Sequence, residues 1–233
     1  MTETTSRRGG GHGRIAVGGA VLALVLTGCG ADVPNGPMDE DELESTYLTG
    51  RGVPEDWSLA DDPSGRDRYG DPIDDAGPGD SFSGDPDEQC QGALDELESE
   101  IQDVEYVAEA DATYTKEQAS VNVTAYSTQQ EVGISEPFLA ILDDCETEFL
   151  DSMSASAPDD LSRESLDTEA DGVAFVSDEG SGTLLAFATV SYGKNHLGIW
   201  AGSEDSRDMD AVVELVDAVQ ERFEEGPDAG EED

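Results

Sequence analysis

The excess of acidic over basic residues is the feature that most limits where this chain can form a core. Asp and Glu number 56 against 11 Lys and Arg, which gives a formal net charge of −45 at pH 7. Because like charges oppose collapse, a folded domain needs a stretch in which apolar residues recur at helix or strand spacing. That spacing runs from residue 85 to residue 225. The same negative field repels phosphates, so we expect no nucleic-acid partner.

Residues 29–84 lack that spacing. Positions 30–84 contain 6 of the 10 prolines and 15 acidic residues against three arginines. Proline, glycine and like charge all disfavour burial, so we predict a disordered acidic linker between the N-terminus and the domain. Five large apolar residues interrupt this composition, and they are either isolated in the linker or docked on the domain or a partner. They are Tyr47, Leu48, Trp57, Tyr69 and Phe82.

A short apolar run near the N-terminus ends in Leu26-Thr27-Gly28-Cys29. Three arginines precede the run Ile15–Leu26, whose 12 residues are fewer than the roughly 20 needed to span a bilayer. The four-residue ending resembles the lipobox of bacterial lipoproteins. That resemblance implies cleavage between Gly28 and Cys29 and acylation of the Cys29 thiol. We therefore expect residues 1–28 to be a signal peptide and the mature chain to be membrane-anchored on the extracytoplasmic face. The alternative is cleavage elsewhere, with Cys29 incidental.

Cleavage before Cys29 makes the chain still more acidic. It removes three arginines and Glu3, which leaves 8 basic and 55 acidic residues and a net charge of −47. Anionic lipid headgroups repel such a chain, so we expect membrane contact through the anchor alone. This charge is typical of a protein adapted to high salt, but it is equally consistent with a charge that only keeps the protein soluble.

Residues 85–225 contain both helix and strand patterns. We predict an α+β domain in which an antiparallel sheet of four to five strands packs with three amphipathic helices, followed by an acidic tail at 226–233. The predicted helices begin at Asp85, at either Ser127 or Ser135, and near Ser206. The predicted strands cover 104–107, 119–126, 173–176, 184–192 and 197–201.

Cys90 and Cys145 lie on the apolar stripes of the first two predicted helices. An exported protein meets an oxidising compartment, so we predict a structural disulfide between them. The alternative is a pair of buried free thiols. Neither cysteine has the C-x-x-C spacing of a redox catalyst.

The mature chain offers few residues for catalysis or metal binding. His196 is its single histidine, because His12 leaves with the signal peptide, so histidine metal clusters are excluded and only one histidine base is available. Nucleotide-binding glycine loops and hydrolase signature motifs are also missing from the sequence. We therefore expect no catalytic residue, no metal and no cofactor. The enzymatic alternative is a hydrolase that uses two carboxylates.

Four residues near one predicted hairpin form the candidate ligand cleft: Tyr192, Lys194, His196 and Trp200. They offer aromatic stacking, one cation and one titratable group. The alternative is a hairpin in which Trp200 packs in the core and His196 is solvated. Alternation along the strand turns Trp200 to the face opposite Leu197.

The span from Cys90 to Phe223 resembles the extracytoplasmic sensor-type domain of actinobacterial lipoproteins and PknH-type receptor kinases. The likeness rests on an early helical cysteine, a strand of the form Val121–Ser127, a helix carrying Cys145, and a hairpin at Tyr192–Leu197 before a terminal amphipathic helix. The resemblance implies an antiparallel sheet with helices around a cleft, and a domain that binds an extracellular ligand or a surface protein without catalysis. The kinase-linked form has two disulfides, whereas this chain can form one. A passive accessory subunit of a surface complex is the further alternative.

Overall fold

The computed structural model describes residues 36–73, 86–146, 161–166, 168, 170–177 and 182–227. The predicted signal peptide, the Gly28–Cys29 cleavage site, Phe82 and residues 228–233 of the predicted tail lie outside these described residues. None of the helices described is long and apolar enough to cross a membrane.

One antiparallel sheet forms the centre of the described domain. The order across it is β1-β3-β4-β8-β7-β6-β5, and β2 pairs with the same edge of β3 as β1 does. The predicted antiparallel α+β fold is confirmed, but four to five strands was too low a number, since eight are present in the described ranges. In chain order they are β1 Ser58–Leu59, β2 Ser64–Asp67, β3 Tyr106–Lys116, β4 Ala119–Thr128, β5 Leu161–Ser165, β6 Asp171–Ser177, β7 Leu184–Tyr192 and β8 Asn195–Ser203.

The three predicted helices are present, and a fourth precedes them in the described part of the chain. Asp87 rather than Asp85 caps α2, because its Oδ1 accepts hydrogen bonds from the backbone N–H groups of Gln89 and Cys90, both at 2.9 Å. The second predicted helix begins at Ser135, one of its two expected starts. In chain order the helices are α1 Glu40–Ser45, α2 Glu88–Ile101, α3 Ser135–Asp144 and α4 Met209–Glu225.

Helices α1 and α4 cover one face of the sheet, which we call the α4 face. Leu215, Val216 and Phe223 of α4 are buried there against the strands. Small strand side chains let the helices approach the sheet closely, which favours dense packing. The alanines buried in this core are Ala108, Ala110, Ala112, Ala119, Ala125, Ala170, Ala174, Ala186, Ala188 and Ala201.

Helices α2 and α3 cover part of the opposite face, which we call the α3 face. Leu142 of α3 packs on Phe175 and Phe187. The disulfide Cys90–Cys145 joins α2 to α3 with the two Cα atoms 4.6 Å apart, which confirms the predicted pairing over two free thiols.

Residues 36–73 belong to the folded domain, so the prediction of a disordered linker is wrong for this segment. Met38, Leu43, Tyr47 and Trp57 are at most 7% exposed. The acidic residues of α1 form its outer surface while Leu43 points into the core, so a high charge does not prevent docking. Tyr47, Leu48 and Trp57 dock on the domain, which was one of the two alternatives for the apolar residues of this segment. Tyr69 does not dock and is 71% exposed.

Candidate functional site

The four residues of the predicted ligand cleft are divided between the two faces of the sheet. Tyr192 lies on the α4 face, where its ring is 5.9 Å from that of Phe223. Lys194 lies in the β7–β8 turn and donates from Nζ to the backbone oxygen of Gln129 at 2.6 Å. His196 and Trp200 share the α3 face. These four residues therefore do not form one cleft, because neighbouring positions of a strand point to opposite faces.

His196 is a buried structural residue at 1% exposure. Its Nδ1 is 2.9 Å from the hydroxyl of Ser191, its Nε2 is 3.3 Å from the hydroxyl of Thr128, and its ring stacks on Tyr126. Burial lowers the pKa of His196 to about 4. The histidine is neutral at pH 7 and both ring nitrogens have hydroxyl partners, so it stabilises the sheet in its uncharged form.

Ser191 and His196 lie at the distance of a nucleophile–base pair, but the surroundings do not favour that chemistry. An imidazole with a pKa of about 4 is a weak base at neutral pH. The Ser191 hydroxyl is also 3.2 Å from the hydroxyl of Ser135. For the carboxylate hydrolase alternative, Glu109 is the one buried acid among the residues that the structure describes, so no buried pair is available there.

Acidification is expected to destabilise the domain through His196. The imidazole is neutral in the fold, and its pKa falls from 6.5 to about 4. The stability that this neutral state contributes is complete above pH 6.5 and is lost as the pH falls toward 4. We expect the free energy of unfolding to fall by about 2 kcal/mol between pH 7 and pH 5 from this residue. Urea denaturation at both pH values measures the change. A His196→Gln control should lose most of the pH dependence, and an equal dependence in both proteins would contradict this assignment.

Part of the α3 face, on strands β3, β4 and β8, presents exposed side chains. Trp200 is its largest residue and is 47% exposed, so the alternative that Trp200 packs in the core is wrong. The register places Trp200 beside Phe187 on one side and Asn122 on the other. We call this surface the open face. It consists of Asp111, Thr113, Asn122, Thr124, Gly198 and Trp200.

The polar side chains of the open face are held by hydrogen bonds between strands. Thr124 Oγ1 donates to Asp111 Oδ1 at 2.8 Å. Thr113 Oγ1 donates to Asn122 Oδ1 at 2.9 Å. These contacts fix the side chains in one arrangement, which lowers the entropic cost of binding.

Two arginines of the segment assigned to the linker border the open face. Arg68 donates to Glu109 at 2.7 Å, and Arg66 also pairs with this carboxylate. Arg66 Nη2 lies 3.8 Å from Asp111 Oδ2. The Arg68 guanidinium lies 4.4 Å from the ring centroid of Tyr106. No sequence pattern predicted these pairs, because they depend on the register of β2 against β3.

No group of three or more His, Cys, Asp or Glu in the described ranges is arranged to hold a metal ion. The acidic residues of these ranges lie mostly on the surface.

Comparison with known proteins finds similar solved structures, two of which are described below. No protein-family model and no curated protein matches the chain. The extracellular domain of PknH from Mycobacterium tuberculosis is 11% identical, with a TM-score of 0.39, over 81% of this chain and 98% of that chain. A Mycobacterium smegmatis protein, an Rv0999 ortholog, is 14% identical, with a TM-score of 0.38, over 80% of this chain and 98% of that chain. The PknH extracellular domain is of the type named in the sequence analysis.

Proposed function

We propose that the chain is a lipid-anchored extracytoplasmic protein whose α+β domain binds a ligand or partner without catalysing a reaction. The observation that carries this proposal is the 47% exposure of Trp200 on the open face. Tryptophan is enriched among the residues that dominate binding energy, because its large ring is rigid and amphipathic. The open face is the proposed binding surface.

The disulfide supports an extracytoplasmic location. Cys90 and Cys145 are bonded, and structural disulfides are rare in the reducing cytosol of mesophiles. This agrees with the lipobox-like sequence that ends at Cys29 and with export of the mature chain.

The described N-terminal segment suggests how the domain is held at the membrane. Asn195 donates from Nδ2 to the Gly36 carbonyl at 2.9 Å and accepts from the Met38 N–H at 3.0 Å. The chain from Cys29 thus joins the domain beside the β7–β8 turn. Seven residue steps separate Cys29 from Gly36, which span at most about 25 Å. An acylated Cys29 would keep this end of the sheet close to the lipid.

The open face lies away from that end. Trp200 is five residues beyond Asn195 along β8, which corresponds to about 16 Å at the rise of a strand. An anchor at Cys29 would therefore leave Trp200 accessible from the side away from the membrane.

Native mass spectrometry of the full chain tests the proposed binding surface. The detergent-solubilised protein is incubated with mixtures of envelope saccharides, lipids and peptides. We expect at least one component to be retained by the wild type and lost from Trp200→Ala. The matched control is Tyr69→Ala, which removes the other exposed large aromatic of the described residues. Equal retention by all three proteins, or no retention by the wild type, would contradict the proposal.

A further inference from the structure

The chemistry of the open face selects a class of ligand, on the premise that this face is the binding surface proposed above. Its central feature is the exposed ring of Trp200, which lies 6.4 Å from the Phe187 ring with the two planes 6° apart. A nearly parallel neighbour on the adjacent strand restricts the tilt of the indole. The indole ring is therefore held in an orientation in which a flat, partly apolar ligand surface can stack on it.

The carboxylates beside the open face are already paired with arginines, although the domain as a whole is strongly acidic. Arg66 and Arg68 pair with Glu109, Arg66 also lies 3.8 Å from Asp111, and Arg68 also pairs with Asp71. Thr124 donates a further hydrogen bond to Asp111. A cationic ligand thus meets a carboxylate that already has partners. An anionic ligand meets the repulsive field of the whole molecule.

Neutral hydrogen-bonding groups surround the ring. Asn122 lies directly beside Trp200, and Thr113 and Thr124 occupy neighbouring positions on β3 and β4. The hydrogen bond from Thr113 uses the amide oxygen of Asn122, while an amide also has two N–H donors. These two hydroxyl groups and one amide can each donate and accept hydrogen bonds, so they match a ligand that does both.

Gly198 makes a shallow depression beside Trp200. A Cβ atom built at Gly198 would have one neighbour within 4 Å, the backbone oxygen of Thr124 at 3.8 Å. The three strands of the open face, β3, β4 and β8, together extend about 10 Å across the sheet. This is room for a chain of rings rather than for a single small ion.

We propose that the open face binds a neutral saccharide. The C–H side of a sugar ring would stack on Trp200, and its hydroxyl groups would bond to Asn122, Thr113 and Thr124. No charge on the ligand is needed, because the carboxylates beside this face already have arginine partners. The saccharides with the best match are linear, so that one ring covers the indole and the next lies over Gly198.

Calorimetric titration of the full chain with a charge series of oligosaccharides tests this assignment. The probes are neutral oligomers of glucose, mannose and N-acetylglucosamine, a cationic glucosamine oligomer and an anionic galacturonate oligomer. We expect a neutral oligomer to bind with a dissociation constant that does not depend on salt, since no ion pair forms. Trp200→Ala should weaken it at least tenfold, as expected for a central aromatic contact. Gly198→Val should also abolish binding while leaving the urea midpoint unchanged, because the added Cβ makes only an ordinary contact with the Thr124 backbone oxygen and valine favours strands.

The outcomes separate the class of ligand from the binding surface. The cationic oligomer could bind by general attraction to an acidic protein. Such binding would disappear in high salt and would survive Trp200→Ala. If it is the only binding seen, the saccharide assignment is wrong. If no neutral oligomer binds but another component is lost from Trp200→Ala in the mass-spectrometric screen, the saccharide assignment fails and the proposed binding surface stands. If Trp200→Ala changes nothing in either experiment, both are wrong. Tyr69→Ala should bind like the wild type throughout.

Discussion

Replacing Tyr47 by alanine is expected to lower the free energy of unfolding by about 3–5 kcal/mol. The side chain is 3% exposed and packs on the α4 face. Its hydroxyl donates to the Ala110 carbonyl and accepts from the Ala125 N–H at 2.9 Å. Burial raises the pKa of the Tyr47 phenol well above its usual value, so the group stays protonated and able to donate. The alanine variant leaves a cavity and removes both hydrogen bonds of the hydroxyl. Urea denaturation followed by circular dichroism measures the loss.

Two further variants identify the source of that loss. Tyr47→Phe keeps most of the volume and should cost about 0.5–1.5 kcal/mol, since the hydrogen bonds of the hydroxyl are lost. Tyr69→Ala removes a tyrosine that is 71% exposed and should change stability by less than about 0.5 kcal/mol. If Tyr47→Ala were as mild as Tyr69→Ala, residues 36–48 would not be part of the folded unit.

Removing the disulfide is expected to cost about 4 kcal/mol. Cys90 and Cys145 are separated by 55 residues, and closing a loop of this length reduces the entropy of the unfolded chain by roughly that amount. The double variant Cys90→Ser, Cys145→Ser avoids a lone thiol. Its urea midpoint should fall well below that of the oxidised wild type.

Reduction of the wild type provides the matching control for the disulfide. A reductant should lower the wild-type midpoint to near that of the double variant and should have no effect on the variant itself. A wild-type midpoint that stays constant, with the cysteines shown by mass to be reduced, would mean that the bond adds no stability.

The sequence predicted the strands and helices whose side chains carry a regular pattern. The bounds of β7, residues 184–192, are those expected, because an apolar run from Leu184 to Ala188 is followed by Val190 and Tyr192 at alternate positions. The strand expected at 104–107 extends instead to Lys116. Alanines at alternate positions gave no strand signal there, since alanine is a weak strand former whose small size matters only once a helix packs on it.

The elements of residues 36–73 were missed for a different physical reason. Strands β1 and β2 have two and four residues and are held by backbone hydrogen bonds to the edge of β3. Such pairing needs no apolar pattern. The α1 helix has a capping box formed by Asp39 and Glu42, a signal that was readable in the sequence.

The candidate site was predictable only at the level of one strand. Alternation correctly turned Trp200 away from Leu197, but the exposure of Trp200 depends on where α2 and α3 pack. The separation of Tyr192 from His196 follows from the same alternation, once the hairpin register is known. The pairing of Arg66 with Glu109 needs the position of β2, which the sequence pattern does not give.

Mass spectrometry of the mature N-terminus tests the proposed function most directly. The full chain is expressed in a bacterium that processes lipoproteins and is isolated from the membrane fraction. We predict that its first residue is Cys29 and that this peptide carries the mass of a diacylglyceryl group, while a Cys29→Ala variant leaves the membrane fraction or stays uncleaved. A peptide that continues unbroken through Gly28 and Cys29, or one that starts at an unmodified Cys29, would contradict display of this domain from a lipid anchor.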